Sequence, residues 1–145
     1  RSCIDEVLDD YRPLLEEKHF RIELRLADET VFSDRRGLCF LLGQVVSNSV
    51  KYALEKPVLT FSLENGGTAT VLSIRDNGPG VRACDLPYVF EKGFTGDSGH
   101  EKSKATGMGL WLAREIAKEL GLTLSAASDR GAGFEIRVTF PVVEE

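Results

Sequence analysis

Three short stretches of this chain carry residue types suited to chemistry at phosphates, metals or bases. The first is Gln44, Asn48 and Lys51. At helical spacing they fall within roughly a 60° arc, beside the apolar stripe of Leu41, Val45 and Tyr52. A carboxamide oxygen at the margin of a buried face suits a hard cation such as Mg2+, which takes few protein oxygens and completes its shell with phosphate and water. Lys51, one turn on from Asn48, is placed to neutralise a phosphate. The same row also fits an ordinary core boundary, where polar residues edge an apolar face.

The second stretch is Asp76-Asn77-Gly78-Pro79-Gly80, following a strand-like run. Two glycines around a proline make a turn with room for a ligand to approach the backbone. Asp76 puts a carboxylate at the strand end, although a tight turn with no ligand has the same composition. Gly78-x-Gly80-x-x-Ala83 loosely matches a dinucleotide fingerprint, but no parallel βαβ unit or long amphipathic helix surrounds it. The third stretch, Thr106-Gly107-Met108-Gly109-Leu110, runs straight into a helical pattern. A glycine-rich helix entry offers unpaired amides and the positive end of the helix dipole to an anion. A plain helix entry is the other reading. There is no GxxxxGK[ST] phosphate loop, and the HRD and DFG signatures of protein kinases are absent.

The elements that position these stretches are legible from periodicity. Residues 2–18 have helical spacing, with Pro13 a kink or break. Residues 21–26 alternate polar and apolar as a half-buried strand, and 30–33 reads as a short second one. The strongest helix spans about 34–53. Strands over 58–64 and 68–75 join through Asn65-Gly66-Gly67, a hairpin signal. After the turn at 76–80 come a short apolar stretch, 86–90, and a polar loop, 93–106. A helix over 107–120 stops at Gly121, and strands over 122–127 and 134–140 close the chain as a second hairpin. The pattern predicts a mixed or antiparallel sheet with helices packed on one face.

Composition narrows the class further. The chain has 145 residues, 42% of them hydrophobic and 28% charged, enough for one domain with a real core. Its longest apolar run, Leu38-Cys39-Phe40-Leu41-Leu42, is five residues, too short for a bilayer. Eighteen basic against 23 acidic residues give a net charge of −5, which argues against general nucleic-acid attraction. Cys3, Cys39 and Cys84 form no CxxC, so a zinc site or redox pair is not expected and a reducing compartment is favoured. The start at Arg1, with no Met and no signal-like segment, reads as a piece of a longer protein.

Taken in order, the stretches resemble a known family. Gln44-Val45-Val46-Ser47-Asn48-Ser49-Val50-Lys51-Tyr52 is similar to an N box, Asp76–Gly80 to a G1 box, Phe90-Glu91-Lys92-Gly93-Phe94 to an F box, and Thr106–Leu110 to a G2 box. Together they resemble the GHKL ATP-binding fold, and within it the catalytic domain of bacterial sensor histidine kinases. The phrases DLPYVFEKGFTG and TGMGLWLA look most like the Gram-positive kinases that sense antimicrobial peptides with an associated transporter.

The resemblance implies an α+β fold, a two-layer sandwich of a mixed, mostly antiparallel sheet with about three helices on one face (the Bergerat fold). It implies one ATP-binding domain over 1–145 with an ATP lid at about 93–106, the sensor, membrane and phosphoacceptor domains lying elsewhere. ATP and Mg2+ are the implied cofactors. Asn48 would ligate the metal and, with Lys51 and Gln44, serve catalysis. Asp76 would accept a hydrogen bond from the adenine amine, with Gly78 and Gly80 letting the chain pass close to the ring. Val81, Phe90 and Leu110 would wall the base pocket and Tyr52 would pack beside the nucleotide. The implied ATP-binding set also takes in Lys92, Phe94, Lys104, Thr106, Gly107, Met108 and Gly109.

Two positions depart from the family pattern: Gln44 stands where Asn is usual, and Ala105 replaces the first G2 glycine. Hydrolytic members (gyrase, Hsp90 and MutL types) and anti-sigma-factor serine kinases carry Glu at position 44. Gln44 cannot act as a general base, which favours phosphoryl transfer to a protein over hydrolysis. Neither His19 nor His100 lies in the His-acidic-x-x-x-Pro setting of a phosphoacceptor. The implied partners are the protein's own dimerisation and phosphoacceptor domain, a downstream response regulator and a transporter-linked membrane sensor, with no nucleic acid. The implied location is the cytoplasmic side of a cell-membrane protein.

Overall fold

The computed structural model describes residues 2–26, 34–65, 69–81, 84–91, 109–129 and 133–141. The elements in chain order are α1 (Ser2–Asp10), α2 (Arg12–Glu17), β1 (Arg21–Leu26), α3 (Arg35–Lys51), β2 (Val58–Asn65), β3 (Ala69–Asp76), a 3-10 turn (Leu86–Tyr88), α4 (Gly109–Leu120), β4 (Thr123–Asp129) and β5 (Gly133–Pro141). The strands form one sheet in the order β1-β2-β3-β5-β4. β1 and β2 are parallel, and the other neighbours are antiparallel. The parallel pair follows from α3, which is the crossover that two parallel strands require.

Period-two alternation decides which face of the sheet is covered. Phe61, Ile74 and Ile136 stand in one cross-strand row, and Leu63, Leu72 and Val138 in the next. Phe61, Ile74, Ile136, Leu72 and Val138 are buried, together with Leu41, Leu42, Val45 and Val46 of α3 and Ala113 and Ala117 of α4. Side chains of this size each stabilise the fold by about 1.5–3 kcal/mol when fully buried, alanine excepted. Ile4 and Val7 of α1 and Leu15 of α2 extend the core. The intervening residues Thr60, Ser62, Ser73, Arg75, Glu135 and Arg137 line the other, open face.

Local chemistry sets the helix ends. Asp34 caps α3, its carboxylate accepting the Gly37 amide at 2.9 Å, so the helix begins one residue after the expected start. Tyr52 ends it, two residues before the expected stop. The N-terminal helix breaks at Tyr11, because Pro13 is tolerated only in the first turn of a new helix, α2. His19 follows α2 with φ of +61° and is exposed, its amide donating to the Glu16 carbonyl. It is a helix-ending residue. The three cysteines are free thiols. Cys39 of α3 donates to Glu6 of α1 at 2.9 Å, and burial first, then Glu6 and Cys3, pushes its pKa up to about 12. The expected strand over 30–33, the loop 93–106 and His100 lie outside the described residues.

Candidate functional site

The site is built where the end of β3 meets the last turns of α3. Asp76 is the last residue of β3 and is buried, with 8% of its surface exposed. Its Oδ1 accepts the Gly78 amide at 2.9 Å, and its Oδ2 accepts the Ser49 hydroxyl at 2.9 Å. Burial raises its pKa from the ordinary value of 3.8. The Gly78 amide, the Ser49 hydroxyl, the Phe134 backbone and the Arg75 charge oppose that rise without cancelling it. A buried carboxylate at a strand end, beside a glycine turn, is a candidate functional position.

The turn after Asp76 is held from several sides. Asn77 does not face a ligand: its Oδ1 accepts the Val58 amide at 2.7 Å and its Nδ2 donates to the Lys56 carbonyl at 3.1 Å. A methyl group at Gly78 would stand 3.0 Å from Asp76 Oδ1 and 3.2 Å from the Tyr52 carbonyl oxygen, so the position has little room for a side chain. Gly80 takes φ of +70°. The Val81 amide donates to Ser128 Oγ at 2.8 Å, and that hydroxyl donates to the Gly133 carbonyl at 3.0 Å. Gly133 has φ of +124°, and a Cβ there would come within 2.4 Å of the Asp76 carbonyl oxygen. The turn and the start of β5 are thus packed backbone against backbone.

α3 supplies the other groups. Gln44 and Asn48 are half-buried and Lys51, its last residue, is exposed. Tyr52 is half-buried, and burial raises its pKa. A Cβ added at Gly109 would lie 3.4 Å from Gln44 Oε1, which places the first residue of α4 against the carboxamide. Leu110 is buried, and Val81 and Phe90 are half-buried. The structure therefore joins Asp76, Gly78, Tyr52 and Ser49 at one end and Gln44 and Gly109 at the other. Lys92, Phe94, Lys104, Thr106, Gly107 and Met108 lie outside the described residues.

The donor chemistry fits a phosphate-bound cation. Among the described residues no group of three or more His, Cys, Asp or Glu side chains is placed to cage a metal. A cation at Asn48 would have one amide oxygen from α3 and would need further oxygens from its ligand, the habit of Mg2+ with nucleotides.

Two residues of the site escape a reading of motifs: Ser49 and Ser128. Ser49 had a signal, since it falls on the apolar stripe of Leu42, Val45 and Val46, where a hydroxyl needs a partner. Ser128 had none, because its partners Val81 and Gly133 are brought to it only by the sheet.

The chain belongs to the family of histidine kinase-, DNA gyrase B-, and HSP90-like ATPases, whose family model matches residues 33–144. It is similar to the sensor protein BceS of Bacillus subtilis (strain 168), with 34% identity over 126 residues, 87% of this chain and 37% of BceS. Similarity to the sensor protein kinase GraS of Staphylococcus aureus (strain JH1) is 30% over 146 residues, 100% of this chain and 42% of GraS. The chain spans about two fifths of the length of these relatives. Their sources agree with the likeness of the F-box and G2 phrases to Gram-positive kinases. Among solved structures, Acinetobacter baumannii histidine kinase AdeS matches with TM-score 0.79 and 22% identity, covering 99% of this chain and 64% of that one. The nucleotide-free catalytic domain of histidine kinase ThkA matches with TM-score 0.80 and 20% identity, covering 97% and 92%. These likenesses establish the fold: a mixed five-stranded sheet with helices on one side, as the resemblance implied.

Proposed function

We propose that this chain is the single ATP-binding catalytic domain of a membrane sensor histidine kinase, on the cytoplasmic side. It binds Mg-ATP and passes the γ-phosphoryl group to a histidine of a separate dimerisation domain. The observation that carries the reading is the Asp76 carboxylate, buried and held by Ser49 and Gly78 at the end of β3. It accepts from the amino group of adenine, while Val81, Phe90 and Leu110 bound the ring and Tyr52 packs beside it. Asn48 supplies the amide oxygen for Mg2+, and Lys51 brings positive charge to the phosphates. Bound Mg2+ would supply charge neutralisation at the phosphate oxygens. Gln44, set against the start of α4, has no carboxylate to take a proton from water. The chain's contribution is positioning and electrostatics, as is usual in phosphoryl transfer. Lys92, Phe94, Lys104, Thr106, Gly107, Met108 and Gly109 complete the proposed nucleotide set.

On this reading the phosphoacceptor histidine belongs to another domain; in support, neither His19 nor His100 lies in a His-acidic-x-x-x-Pro setting. ThkA has been solved in complex with the response regulator protein TrrA, and a response regulator is the expected downstream partner here. A transporter-linked peptide sensor is the expected upstream one. Radiolabelled ATP tests the reading. The chain alone should bind ATP without labelling itself or releasing phosphate appreciably. With its own dimerisation domain added it should label that domain's histidine, in a bond stable to alkali and lost in acid. Rapid phosphate release by the chain alone would place it with the hydrolytic members instead.

A further inference from the structure

Ser49 is 4% exposed on the core side of α3, between the buried Val46 and Val50. A hydroxyl in such a place is costly unless it is bonded, and alanine would fill the space and favour the helix. Serines inside helices commonly satisfy themselves on the carbonyl one turn back. Here the bond runs out of the helix instead, 2.9 Å to Asp76 Oδ2 on β3. Gly78 occupies the other oxygen, its amide donating at 2.9 Å. With a donor on each oxygen, and the Phe134 backbone as a third, the plane of the carboxylate is set and its remaining lone pairs are directed.

We infer that Ser49 is a positioning residue for base specificity: it locks the Asp76 carboxylate as an oriented acceptor, so that a base offering an amino donor is taken and one offering a carbonyl is refused. This rests on the reading of Asp76 as the adenine partner. Ser49 adjoins Asn48, so the same bond fixes the rotation of the metal-binding turn of α3 against the strand that reads the base. Without it the carboxylate keeps only Gly78 and its strand neighbours, and its plane is free to turn.

The test is calorimetric titration of the whole chain, without metal, using ADP, GDP and the purine nucleoside diphosphate that lacks the 6-amino group. Ser49→Ala should weaken ADP about 3- to 10-fold, the loss of one hydrogen bond's orienting effect, and leave the deaminated analogue unchanged. The preference for ADP over GDP should narrow by the same factor. Equal weakening of ADP and the analogue, or no weakening of either, would overturn the inference, because a packing role does not distinguish the two ligands. Asp76→Ala is the control. If it fails to separate ADP from the analogue, the base-recognition reading itself falls. If it separates them and Ser49→Ala does not, only the role of Ser49 falls.

Discussion

The two faces of one sheet hold carboxylates under opposite regimes. Asp76 lies on the helix-covered side, and burial raises its pKa despite three hydrogen-bonding neighbours. Glu135, paired across the strands with Arg75, lies on the open side. It accepts from Ser73 and pairs with Arg137 at 3.1 Å. Burial alone would raise its pKa too, but Ser73 and Arg137 outweigh it and the net direction is down. The open face satisfies its carboxylate, which thereby stabilises the fold. The covered face keeps one whose charged form burial opposes. On the proposed function, that difference separates a carboxylate that meets a ligand from one that meets its strand neighbours.

The sharpest way to break the comparison is to remove both carboxylates in turn. Asp76→Ala should cost about 10- to 150-fold in ADP affinity, the worth of a hydrogen bond to a charged group. Glu135→Ala should leave that affinity unchanged in the same calorimeter. Unchanged ADP binding in the Asp76 variant would take it out of base recognition.

The proposed phosphate end of the site offers the next effect. Asn48→Ala should weaken Mg-ATP roughly tenfold while weakening metal-free ATP much less, since the lost oxygen serves the cation. Equal weakening of both forms would make Asn48 a packing residue.

The backbone contact between the Asp76 turn and the start of β5 gives a stability test. Gly133→Ala should lower unfolding stability by about 1–3 kcal/mol through its φ alone, and the clash with the Asp76 carbonyl adds to that. Denaturant titration reads this directly, and an unshifted midpoint would contradict the close packing of β5 on the turn.

The smallest effects are in pH dependence, where the two carboxylates should have opposite signs. The native state holds the Asp76 proton more tightly than the unfolded chain does. Its contribution to stability is therefore present below the ordinary value of 3.8 and lost as pH rises through the raised native pKa. Asp76→Asn should thus gain stability relative to the parent as pH rises through that window. Glu135 has the reverse linkage: its contribution is present above 4.5 and lost as pH falls through the lowered native pKa. Glu135→Gln should accordingly cost about 1 kcal/mol at neutral pH and nothing at strongly acid pH. Melting curves of both variants across pH measure the two slopes, and slopes of the same sign would erase the contrast.

Much of the architecture was legible because it depends on local rules. The alternation in β2, β3 and β5 and the apolar stripe of α3 determined which side chains turn inward, whatever the partners. Asp34 and Pro13 carried the helix boundaries, although the break at Tyr11 and the early stop at Tyr52 needed the packed structure to place them. Motif order named Asp76, Gly78, Asn48 and Lys51 as candidates, and the structure brings Asp76 and Gly78 into contact. What spacing could not contain was contact across the sheet. Ser49 reads locally as a misplaced hydroxyl and Gly133 as a hairpin glycine. Only β3 meeting α3 and β5 makes one the clamp on Asp76 and the other the surface against its carbonyl. The same holds for charge: Asp76 and Glu135 are equivalent carboxylates in the sequence, and burial and partners, which are properties of the tertiary structure alone, drive their pKa values apart.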